Sequence, residues 1–121
     1  MNPKTEELLD RTFQFGIKCL RLLQELPQNQ IFAVLTYQLA KASTSVGANY
    51  EEAQGAESKK DFVHKIGIVL KEIRESNYWL RVLNEILIKP SLNEEAESLI
   101  KESSELKSIF SSIKIKAGKG E

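Results

Sequence analysis

One histidine, His64, and one cysteine, Cys19, bound the chemistry open to this chain. Zinc takes four ligands drawn from thiolate, imidazole and carboxylate, so these two would need carboxylates from several segments to complete a site. Asp61 lies three residues before His64 and imitates half of a di-iron motif. Such bundles require Glu-x-x-His twice, and there is no second copy. No Walker loop, G-x-G-x-x-G turn or G-x-S-x-G elbow occurs, so the backbone cradles that hold phosphates or expose a nucleophile are missing. The residues therefore yield no catalytic set, no metal set and no cofactor.

Polar side chains stand out where apolar ones would continue a pattern. Ser45, Asn49 and Glu52 fall in the second half of one apolar segment, and Glu72, Arg74 and Tyr78 fall at similar height in the next. A carboxylate taken out of water needs a compensating cation or donor, so a structural polar network with Arg74 answering Glu52 is expected. The alternative for the same residues is a pocket with a small-molecule or enzymatic role. A second group is basic: Lys59, Lys60, Lys65, Lys71, Arg74 and Arg81 are interleaved with Asp61, Glu72, Glu75 and Glu85. That alternation reads as a solvated helix surface. Lys59 and Lys60, with Lys65 one turn on, open a helix where amides and dipole favour phosphate, and these three are the candidate nucleic-acid contacts. A third group, Trp79, Val82 and Ile86, forms a second apolar row, not all of which can face one core. It is the candidate subunit interface, the alternative being that Trp79 lies at the core margin.

The elements that must position these groups follow from punctuation and period. Pro3, Pro27, Gly55 and Pro90 divide the chain into long intervals, and each interval repeats apolar residues at three-and-four spacing. Asn2 before Pro3 caps a first helix over residues 3–25, with Leu8, Thr12, Phe15, Cys19, Leu22 and Leu26 facing inward and Leu9, Phe13, Leu20 and Leu23 widening the stripe. A second helix, 29–56, turns Ile31, Leu35, Leu39, Ala42 and Val46 inward. A capping box at Ser58 and Asp61 starts a third, 59–88, on a nearly unbroken heptad from Phe62 through Ile66, Val69, Ile73, Ser76, Leu80 and Leu83 to Leu87. Ser91 and Glu94 offer a cap for a fourth, 92–115, carrying Ala96, Leu99, Ser103, Leu106, Phe110 and Ile113, and residues 116–121 read as a frayed tail. No segment alternates with period two. Four helices joined by short links predict one all-α domain, an antiparallel up-down-up-down four-helix bundle with a left-handed seam.

Composition agrees. The 121 residues suffice for one core, and 41% hydrophobic with 28% charged is ordinary for a globular chain. Seventeen basic and seventeen acidic side chains cancel, which removes the global positive field of a dedicated nucleic-acid binder and leaves only a local patch. The opening residues lack the apolar core of a signal peptide, and the lone cysteine cannot form an internal disulfide, so a reducing cytoplasm is expected. No apolar run reaches the roughly 20 residues that cross a bilayer.

Three blocks in order carry a resemblance: Tyr37 to Ala53 (YQLAKASTSVGANYEEA), Ser58 to Phe62 (SKKDF), and Lys71 to Leu80 (KEIRESNYWL). They resemble the bacterial four-helix-bundle family that includes the 23S ribosomal RNA intervening-sequence proteins, over nearly the whole chain and most strongly from Leu39 to Leu83. The resemblance implies a small bundle that assembles as a homopentamer, with ribosomal RNA or an RNA-associated protein as its partner. It implies no enzymatic activity and transfers no catalytic residue. The relatives that bind nucleic acid are strongly basic, whereas this chain is neutral.

Overall fold

The structure, a computed structural model, describes residues 2–119. It consists of α1 (Pro3–Gln24), α2 (Gln30–Ala53), α3 (Lys59–Ile86) and α4 (Pro90–Lys119). Each helix packs on the next in the chain, and a sparser α1–α4 contact closes the ring of four. This is the four-helix bundle that the periodicity predicts.

Helix ends show how the local sequence sets the boundaries. Asn2 Oδ1 accepts from the Lys4 N–H at 2.7 Å with Pro3 in the first turn. Asn29, not identified from the sequence as a cap, accepts from Phe32 N–H at 2.9 Å. The second helix ends at Ala53, not at residue 56, because Gln54, Gly55 and Ala56 bond back three residues instead of four, the tightening expected of a last turn. No glycine among the described residues has positive φ, so Gly55 ends α2 without a left-handed cap. Ser58 Oγ accepts from Asp61 N–H at 3.0 Å, while the Asp61 carboxylate reaches the Glu57 N–H at 3.2 Å. The third helix stops at Ile86. The fourth begins at Pro90, where a missing N–H costs nothing, and the Lys89 carbonyl accepts from Leu92 and Asn93. Ser91 thus lies inside the helix and not at its cap. The fourth helix also continues to Lys119, past the expected end at 115; residues 120 and 121 lie outside the described residues.

The core follows the stripes. Leu8, Thr12, Phe15, Cys19, Leu22 and Leu26 of the first are all buried, as are Ile66, Val69, Ile73, Ser76, Leu80, Leu83 and Leu87 of the heptad. Tyr50 meets Phe110 edge-on, with ring centroids 4.9 Å apart. The buried hydroxyls of Thr12, Ser76 and Ser103 donate to carbonyls of their own helices at 2.8–3.0 Å, which satisfies each donor locally. Two inward assignments fail: Ile31 and Phe13 are 67% and 59% exposed. Gly16 and Gly47 bring α1 and α2 together, since a Cβ at either would lie 3.3 Å from a backbone oxygen of the other helix.

Candidate interaction surfaces

The six residues expected to form a polar network are not assembled into one. Ser45 Oγ donates to Lys41 O at 2.7 Å, and Asn49 Nδ2 to Ser45 O at 2.8 Å, so both serve the backbone of α2. Glu52 and Arg74 are exposed, and half of Tyr78 is in solvent. No hydrogen bond or ion pair among the described residues runs from Ser45, Asn49 or Glu52 to Glu72, Arg74 or Tyr78. Partial burial raises the Glu72 carboxyl above the ordinary range, the nearby Glu75 adds to this, and Lys71 and Lys41 oppose it. Long side chains on a bundle's flank reach water more cheaply than they reach one another, which is why spacing alone overestimated their coupling.

Polar links between helices occur elsewhere. Arg11 of α1 grips Glu102 of α4 through two bonds, at 2.7 and 2.8 Å, and Glu105 at 2.9 Å. This pins the seam where helix contact is sparsest. Those bonds hold the guanidinium more firmly protonated than usual, led by the one to Glu102. Asn77 of α3 donates to Ser103 Oγ at 2.9 Å and accepts from Arg81 Nε at 2.9 Å. Asn93 of α4 donates to the side chain and backbone of Asn84 at 2.8 and 2.9 Å. Ser103, counted as part of an apolar stripe, is the sequence signal for the first of these α3–α4 links.

The buried Cys19 thiol is pushed up to about 12 by its surroundings, with the Ser43 hydroxyl beside it offsetting a little of that shift. Ser43 Oγ makes no hydrogen bond, consistent with a thiol being a poor partner. No cluster of three or more metal-ligating side chains exists among the described residues. A groove of about 690 Å³ opens between the start of α1 and the end of α4, lined by Lys4, Thr5, Leu8, Tyr50, Ile109 and Ile113 among others. Tyr50 has its phenol raised chiefly by burial, with hydrogen bonding to Thr5 and Gln54 opposing the shift.

The outer surface is more informative. Residues 30–40 of α2 carry no charge, and their outward side chains Ile31, Val34 and Tyr37 are 67%, 56% and 63% exposed. Beside the second half of α2, where Gly47 packs on Thr12, are exposed Phe13 of α1 and a groove of about 350 Å³ lined by Leu9, Ile17, Leu20, Thr44 and Ala48. Antiparallel α3 brings its C-terminal half alongside the first half of α2. There Ile86 is exposed, while Trp79 and Val82 are half-buried against the core. The row that sequence reasoning placed on α3 alone is thus the margin of a wider apolar face centred on α2. Trp79 Nε1 is shielded from solvent and unpartnered. Of the basic candidates, Lys65 is paired with Asp61 at 3.1 Å, which lowers the Asp61 carboxyl below its ordinary range, and Lys59 and Lys60 are exposed on the first turn of α3.

No helix among the described residues is long and apolar enough to cross a membrane. No curated protein matches the chain. The chain is similar to a protein of unknown function from the S23 ribosomal protein family of Bacteroides thetaiotaomicron, solved by crystallography. The two share 33% sequence identity and a TM-score of 0.80, over 92% of this chain and 97% of that one. Neither that relative nor the family carries an enzymatic description. The profile of the 23S rRNA-intervening sequence proteins matches residues 4–112, and with the four-helix architecture and that structural neighbour in agreement, the chain belongs to this family.

Proposed function

We propose that this protein works by association and not by catalysis, as the subunit of a cytoplasmic homo-oligomer, a pentamer by the resemblance of its sequence blocks, that engages RNA or an RNA-associated protein. The observation that carries the assembly is the uncharged first half of α2, with Ile31, Val34 and Tyr37 each more than half exposed. Fully burying one such side chain is worth about 1.5–3 kcal/mol relative to leaving it in water. A contiguous face of them, continued by exposed Ile86 at the neighbouring end of α3, is the surface that a stable subunit contact covers. The outer side of α4 differs: Glu94, Glu95, Glu97, Ser98 and Lys101 are all exposed there, a face built to stay in water.

The family description supports the RNA half of the reading. Mass by light scattering tests the first half: an assembly several times the 13.7 kDa chain is expected, and a monomer at micromolar concentration would remove it. Filter binding to ribosomal RNA fragments over a range of salt tests the second. Phosphate contacts make affinity fall steeply with salt, so absent or salt-independent binding overturns it.

A further inference from the structure

The chain has no net charge, yet its positive charge is not evenly spread. On α3, Lys60, His64, Gly67, Lys71, Arg74, Tyr78 and Arg81 recur at alternating steps of four and three, which places them along one line of the helix surface. Of the acids interleaved with them in sequence, Asp61, Glu72 and Glu75 lie on another line, where Asp61 holds Lys65 of the same helix and Glu72 is influenced by Lys41 of α2, while Glu85, four residues beyond Arg81, closes the basic line at its end. Contacts fix the orientation of the basic line. Asn77, one residue from Tyr78, bonds Ser103 and reaches Ser104 of α4, and a Cβ at Gly67 would meet Lys114 Nζ at 3.4 Å. The line therefore borders α4, which adds Lys107 and Lys114, one and nearly three turns beyond Ser104.

The result is a seam with Lys60, Lys71, Arg74, Arg81, Lys107 and Lys114 all exposed, and none of them in an ion pair among the described residues. No acid lies on the α3 line between Lys60 and Arg81, a length of roughly 32 Å at 1.5 Å per residue. A shallow groove floored by Gly67, with His64, Lys71 and Lys114 around it, runs along it. Part-way along stands Tyr78, half exposed, with the Arg81 guanidinium 5.6 Å from its ring centroid.

We infer that the α3–α4 seam is a binding track for single-stranded RNA, with its lysines and arginines on phosphates along the strand and Tyr78 stacking on an unpaired base. A positively charged groove that tracks a backbone, with an interposed aromatic on which a base can stack, is the arrangement that holds single strands irrespective of sequence, and a duplex offers no free base to Tyr78. This rests on the RNA association proposed above and assigns it to a surface that shares only Lys60 with the Lys59, Lys60 and Lys65 cluster read from sequence.

The test is filter binding of the full-length protein to a polyuridylate oligomer at several salt concentrations. A Lys71→Ala, Arg74→Ala, Lys114→Ala triple variant is expected to make the log–log salt slope shallower by about 2, at roughly 0.7 for each phosphate left without its cation. Tyr78→Ala is expected to weaken binding about tenfold with the slope unchanged. A Lys18→Ala, Arg21→Ala variant removes charge from α1 and should bind like wild type. All the substituted residues are exposed, and circular dichroism confirms the folded state of each variant. Wild-type binding that the triple variant leaves unaltered overturns the seam while sparing RNA association; a wild type that binds no oligomer or ribosomal fragment overturns both. Equal competition by a duplex of the same length would sink the stacking role of Tyr78.

Discussion

Gly47 of α2 lies against Thr12 of α1 so closely that a Cβ at 47 would stand 3.3 Å from the Thr12 carbonyl oxygen. Gly16 repeats the relationship in reverse against the Ser43 carbonyl, also at 3.3 Å. The obstruction is backbone on both sides and cannot swing away. Gly47→Ala gains about 1 kcal/mol of helix propensity and meets overpacking that costs about 1–3 kcal/mol, so a net loss of about 1 kcal/mol is expected. Gly67→Ala has the opposite sign. Its Cβ would meet only the mobile end of Lys114 at 3.4 Å, and a gain of about 0.5–1 kcal/mol is expected. Thermal unfolding of the variants decides: a Gly47→Ala protein more stable than wild type would show that the α1–α2 seam yields.

Two carboxylates should give opposite pH signatures. Asp61 is held below its ordinary range, first by the hydrogen bond from Lys65. Its stabilisation is present above the unfolded-state pKa and is lost as pH falls through the lower folded-state value. Glu72 is raised, chiefly by partial burial. The folded state then binds its proton more tightly than the unfolded state, so stability declines as pH rises from the unfolded to the folded pKa. Asp61→Asn should therefore lower the melting temperature at pH 7 and be neutral near pH 2. Glu72→Gln should raise it at pH 7 and make no difference near pH 2. Melting curves across that range check both, and a stabilising Asp61→Asn at neutral pH would remove the cap and its ion pair from the account.

Cys19 reports on opening of the same α1–α2 contact. It is fully buried, and its thiol is pushed up to about 12, so little thiolate exists at pH 8 and none is accessible. Labelling by an aromatic disulfide reagent should be negligible in the native protein and complete in denaturant, with a native rate set by unfolding. Labelling within seconds under native conditions would place a local opening at α1–α2.

How much of this was legible in the sequence depended on where each residue sat around its helix. Side chains aimed at the bundle axis were readable: every member of the Leu8 to Leu26 series is buried, as is the heptad from Ile66 to Leu87, because a 3.6-residue period and a 3.5-residue repeat agree over such lengths. Residues at the margins were not. Ile31 and Phe13 fit an inward series by spacing but fall on the side away from a neighbour, which only the placement of adjacent helices decides. Ser45 and Asn49 satisfied themselves on their own helix, a choice that composition does not distinguish from a cross-helix bond. The basic seam was hidden for a different reason. Along the chain its charges alternate with acids, and separation onto two lines of α3 emerges only when the 100° step between residues is combined with α4 lysines distant in sequence.

The apolar face permits a sharper test of assembly than mass alone. If the contact is centred on α2, Val34→Glu places a charge in its middle, where desolvation without a partner costs most, and the particle should fall toward the 13.7 kDa chain. Ile86→Glu lies at the margin on α3 and should weaken assembly less, visible as a shift to higher concentration in a dilution series. Ser98→Glu on the exposed side of α4 should leave the mass unchanged. Val34 and Ile86 are 56% and 40% exposed in the protomer, so neither substitution disturbs the core, and unchanged helical content should accompany the change in mass. Dissociation by Ile86→Glu with Val34→Glu still assembled would move the interface to the row of Trp79, Val82 and Ile86. That outcome would leave the exposed first half of α2 facing another partner.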